Sequence, residues 1–65
     1  MSEAVRIWFE ELYIREINEI KGTIENERIW ELGYDGEEPN LHTENIKTLT
    51  EYLEMLEEKL EELKD

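Results

Sequence analysis

The chain has no cysteine. Disulfides, the usual staple of small secreted scaffolds, are thereby excluded, and the composition fits a reducing compartment. His42 is the only histidine, so with no thiolate beside it a structural zinc site lacks ligands, and no metal or cofactor is expected. Ser2 is the only serine, which leaves no nucleophile to pair with a base inside one chain. Glycine occurs only at Gly22, Gly33 and Gly36, too scattered for a phosphate-cradling loop.

Long apolar runs are missing too. Nothing approaches the roughly 18 residues that a bilayer span requires. Residues 1–6 show no basic stretch leading into an apolar one, the pattern of a secretory leader. A cytoplasmic protein without membrane association is the expectation. Positive charge is scarce: 7 Lys and Arg stand against 19 Asp and Glu, a formal net charge of −12. Direct binding to nucleic acid or to an anionic membrane depends on clustered Lys and Arg and is not expected. Basic protein surfaces are the partners that such a charge favours.

What the chain does have is helical spacing. Ile46, Leu49, Leu53, Leu56, Leu60 and Leu63 recur at alternating steps of three and four, an uninterrupted heptad seam. A lone helix cannot bury such a seam in water, so a second helix must lie against it. Residues 3–32 supply one: proline-free, with Val5, Trp8, Phe9, Leu12, Tyr13, Ile17, Ile20, Ile24 and Trp30 within half of a helical wheel. Ser2 suits the N-cap position, and Glu3 adds a negative charge where the helix dipole favours it.

Gly33 follows Leu32 as a left-handed residue closing a Schellman motif would, which would bring Ile29 against Tyr34. Asp35 and Gly36 signal a turn, and Glu37, Glu38, Pro39 and Asn40 complete a connection of the length used between antiparallel helices. Either Asn40 caps the second helix, or His42 does and Leu41 packs on Ile46 as a hydrophobic staple. The expectation is one all-α domain over residues 1–65: helix 1 about 3–32, a loop about 33–40, and helix 2 about 41–64, folded as an antiparallel hairpin.

A chain of 65 residues buries only about 60% of its unfolded surface, and small scaffolds without disulfides or metals commonly gain stability by oligomerising. Helix 1 also outruns helix 2. Pairing the helices about the loop brings Asp65 level with Phe9 and leaves residues 1–8 projecting by roughly 10 Å. Its apolar arc is wider than one narrow seam covers, and Leu41, Tyr52 and Met55 broaden helix 2 on one side of its seam. Two hairpins joined as a four-helix bundle, a homodimer, would cover Val5, Trp8, Phe9, Leu12, Tyr13, Ile20, Tyr52 and Met55. Ile7 and Ile14, with Gly22 towards their side, mark a second face.

The functional reading is therefore a small acidic non-enzymatic interaction or regulatory module that works by helix packing. The runner-up is an acidic inhibitor whose carboxylate rows imitate nucleic acid in the cleft of a nucleic-acid-binding protein, as some phage and mobile-element products do; this is analogy only. Paired carboxylates such as Glu54, Glu57, Glu58, Glu61 and Glu62 fall on a solvated helix face, where nothing separates their acidities for catalysis. Asp35, Glu37 and Glu38 beside His42 do not have the spacing of a calcium loop.

Overall fold

The computed structural model describes residues 2–36 and 39–64. They form two α-helices, α1 (Glu3–Leu32) and α2 (Leu41–Lys64), that pack against each other. Glu37 and Glu38 of the connection, and the pairing of Asp65 with Phe9, lie outside the described residues.

Ser2 starts α1 in extended backbone (φ −71°, ψ 156°), and its hydroxyl accepts the Val5 N–H at 3.2 Å. One orphan donor of the first turn is satisfied by that bond. Arg6 then bridges Glu3 and Glu10 at 3.2 and 3.3 Å, an exposed and a half-buried pair near the surface that contribute little individually.

The end of α1 differs from the sequence expectation. Gly33 is right-handed (φ −85°, ψ −3°), and no described residue has a positive φ. Its N–H donates to the Ile29 carbonyl at 3.2 Å, an ordinary helical bond, and the Tyr34 N–H donates to Glu31 at 3.3 Å. The helix thus tightens and runs out without a Schellman closure. Tyr34 turns forward: a β-carbon added to Gly36 would stand 2.7 Å from the Tyr34 hydroxyl, so the ring occupies space that glycine leaves open. Ile29 is left exposed, without the apolar cover that the expected contact would have supplied.

Asn40 replaces that closure with a bridge between the helices. Its Oδ1 accepts the His42 N–H at 3.0 Å, capping α2, while its Nδ2 donates to the Glu31 carbonyl of α1 at 3.3 Å. One side chain therefore satisfies orphan groups at two helix ends. His42 is not the cap. Leu41 is 71% exposed and does not staple onto Ile46. Asn40→Ala should lose both bonds, about 2 kcal/mol together, lowering the melting temperature by roughly 8 °C or more in a domain this size. Asn40→Asp keeps the acceptor and loses the donor, so its melting temperature should fall between the two.

Direction and register follow from bonds beyond the cap. Thr43 Oγ1 donates to Glu31 Oε2 at 2.6 Å, while Asn45 Nδ2 donates to Glu27 Oε2 at 3.4 Å. Later residues of α2 meet earlier residues of α1, as an antiparallel hairpin requires. Stepping along both helices from the Thr43–Glu31 pair brings Lys64 level with Glu10. Residues 3–9 therefore extend past the described end of α2 by roughly 10 Å.

The core is thin. Ile17, Ile20 and Ile24 of α1 and Leu56 of α2 are buried, with Tyr13, Ile46, Leu49, Leu53 and Leu60 packed around them. Isoleucines at steps of three and four put branched side chains on one stripe, and the leucines of α2 fill the spaces between them. Ile20 needs correction: at 7% exposure it belongs to this intrachain core and offers nothing to a partner. The molecule is a single helical layer, 53 × 14 × 11 Å across its Cα atoms. One layer covers one stripe of each helix, and the other sides stay open.

Candidate interaction surface

The two open sides of the layer are distinguished by what lines them. On one, Lys21, Arg28 and Ile24 of α1 face Thr50 and Leu53 of α2 across a shallow groove, and Arg28, Glu31 and Leu32 face Ile46 across another. On a wheel at 100° per residue, Val5, Trp8, Leu12 and Trp30 lie about 160° around α1 from Arg28. Leu41, Tyr52 and Met55 lie about 140° or more around α2 from Thr50. Both sets open on the side away from the grooves. The Glu27–Asn45 bond lies towards that same side and supports the assignment.

This side is apolar in patches. At the free end of α1, Trp8 is 58% exposed and stands edge-on to Phe9, ring centroids 5.0 Å apart, while Phe9 stacks on Tyr13 at 6.2 Å. Val5 is exposed beside them, and Phe9, Leu12 and Tyr13 are half-buried. Tyr13 also packs on the core, so only part of it faces outward. Tyr52 and Met55 form an exposed middle patch on α2. At the loop end Trp30 is 66% exposed and stacks on the His42 ring, centroids 6.3 Å apart and 20° between planes.

Trp30 was absent from the partner surface read from sequence, and Leu41 was read only as broadening helix 2 beside its seam. Trp30 fell within the apolar arc and Leu41 at a helix start, and neither position tells that its side chain goes uncovered. The α2 seam residues turn inward: Leu56 is buried, and Ile46, Leu49, Leu53, Leu60 and Leu63 are half-buried. Ile7 and Ile14 are exposed on the grooved side. Gly22 lies towards the outer edge of α1, about 80° around the wheel from Ile14, and a β-carbon there would meet nothing within 4 Å. The three do not form one patch.

A polar clasp at the loop end was not foreseen. Glu27 Oε2 shares a hydrogen bond of 2.5 Å with His42 Nδ1 and also accepts from Asn45, while Glu31 accepts from Thr43. Glu27 and Glu31 are one turn apart, and so reach the first turn of α2 together. The His42 hydrogen bond holds the Glu27 carboxyl below its ordinary value of 4.5; partial burial opposes this, and the Asn45 bond and the His42 charge assist.

A carboxyl depressed in the folded state stabilises it while ionised, and that contribution is lost as pH falls through the folded value. The melting-temperature difference between wild type and Glu27→Gln should therefore shrink as pH drops below 4.5. A difference that went on growing as pH dropped below 4.5 would contradict the clasp.

Among the described residues, no group of three or more His, Cys, Asp or Glu is placed to hold a metal ion, and no helix is long and apolar enough to cross a membrane. Comparison of the chain with protein-family models, curated proteins and solved structures finds no match.

Proposed function

We propose that this chain is a small non-enzymatic interaction module that acts by helix packing, with a second hairpin as its nearest partner. The observation that carries this reading is the exposed apolar side: two tryptophans, a valine, a leucine, a tyrosine and a methionine face solvent on a layer one helix thick. Full burial of such a side chain is worth about 1.5–3 kcal/mol, and these forgo roughly half of it, an incentive to associate.

Sedimentation equilibrium tests it. The protein should be a dimer at micromolar concentration. Since each chain carries a net charge of −12, raising salt from about 0.05 to 0.5 M should tighten the dimer by screening repulsion. A folded monomer at both salts overturns the reading.

Glu54, Glu57, Glu58, Glu61 and Glu62 are all exposed on α2, which favours the nucleic-acid-mimicking inhibitor as second reading. Salt separates the two readings. Binding of the acidic face to a basic nucleic-acid-binding protein should weaken steeply with salt and fall further on Glu→Gln changes along α2.

A further inference from the structure

The apolar side is patterned along its length. On α1 the patches stand at the two ends, Trp8 with Val5 and Leu12 at one and Trp30 at the other, and between them Glu16, Glu19, Thr23 and Asn26 occupy the same flank. Trp8 and Trp30 are equidistant from Glu19, and the register set by the Thr43–Glu31 bond places Met55 of α2 level with Glu19. The side thus carries an indole at each end and a methionine midway, a pattern that maps on itself when the hairpin is turned end for end.

Resting on the reading of a second copy as partner, we infer that two hairpins pack face to face through this side with their loops at opposite ends. Each Trp8 is then covered by Trp30 and Leu41 of the partner subunit, and the two-fold axis passes beside Met55.

Area supports a second copy as occupant. A compact chain of 7.9 kDa exposes about 4,400 Å², whereas this hairpin exposes 5324 Å². The excess, about 900 Å², is close to the roughly 800 Å² that each partner contributes to a standard specific interface. An interface between identical faces must also be self-complementary: whatever one residue touches on the partner, the partner's equivalent touches in return. Trp8 against the partner's Trp30 meets that condition twice.

Placing the loops at the same end does not satisfy the pattern. It lays α1 over the partner's α2, and the projecting end with Val5 and Trp8 then lies beyond the partner's α2 as well. Tyr52 and Met55 would face the polar stretch of Glu19 and Thr23, and Trp30 would face Asn45 and Thr48. Apolar groups would meet polar ones along the whole length, and the largest exposed group at the free end would stay wet. The opposed arrangement leaves two adverse features, Leu12 over the partner's Asn26 and Glu19 near its own copy at the axis, the second of which adds to the expected tightening with salt.

Because the chain has no cysteine, one introduced thiol reports orientation without interference. Glu3→Cys changes a well-exposed residue whose only described partner is the exposed Arg6. A spin label there gives one distance per dimer, measured by pulsed electron paramagnetic resonance, with sedimentation equilibrium on the same sample. Opposed hairpins place the labels roughly 50 Å apart, from 1.5 Å of rise per residue. Loops at the same end bring them within roughly 20 Å, given helix spacings of 8–10 Å. A dimer with the long distance supports the arrangement. A dimer with the short distance, or with both, overturns the orientation and leaves the second copy standing. A labelled monomer overturns the second copy as partner, and the orientation with it.

Discussion

Leu56→Asp should collapse the far-UV circular dichroism of the hairpin to that of an unfolded chain. Leu56 is the most buried side chain described, 4% exposed, and it sits among the three buried isoleucines of α1, with Ile46, Leu49, Leu53 and Leu60 of α2 packed around them. Truncating a buried leucine costs about 2–5 kcal/mol, and an unpaired carboxylate in the same place adds several more. A chain of 65 residues has a total stability of only about 3–10 kcal/mol. The substitution therefore exceeds or exhausts what the fold holds in reserve. Ile29→Glu is the matching control, since Ile29 is exposed and glutamate is a good helix former; its thermal melt should stay within about 0.5 kcal/mol of wild type. If Leu56→Asp melted cooperatively like the control, the core would have to lie elsewhere.

Trp8→Ala should leave the helices formed and dissociate the proposed dimer. Trp8 lies past the described end of α2, 58% exposed, in a T-shaped ring contact with Phe9. Its loss removes little from the single hairpin, about 0.5–1.5 kcal/mol for an aromatic pair. At an interface a buried tryptophan is typically worth about 2 kcal/mol or more, and a two-fold dimer contains the site twice. The dissociation constant should rise by about 10³-fold while the helical signal at high protein concentration is retained. An unchanged dissociation constant would move the interface away from the free end of α1, and a loss of helicity equal to that of Leu56→Asp would make Trp8 a core residue. The two substitutions thus separate the inward stripe of the hairpin from its outward one.

The contrast also shows how the parts of this molecule differ in legibility. The alternating three- and four-residue steps from Ile46 to Leu63 are local, and a helix converts them into one face whatever surrounds it. That face, with the isoleucines of α1 opposite and turn residues between, leads to a hairpin, and the structure has one. The Ser2 cap is equally local, since its hydroxyl needs only the N–H three residues on.

Relations between helices were not legible in the same way. The bonds from Glu27 to His42 and Asn45, and the Asn40 bridge from α2 to Glu31, join residues 9 to 18 positions apart. They depend on how far each helix is rotated about its axis and how far one has slid along the other. Periodicity leaves both quantities open, and side-chain packing sets them. The same rotation buries Ile20 and leaves Trp30 and Leu41 bare, although all three look apolar and helical in sequence. Gly33 shows a further limit: glycine permits a left-handed ending without requiring it, and here the backbone stays right-handed while Asn40 donates to the Glu31 carbonyl. Sequence by itself determined that there are two amphipathic helices with too little core between them, because spacing and composition are properties of the chain. Tertiary structure alone decided which side remains apolar and where along it the tryptophans stand, because rotation and register exist only once one helix lies on the other.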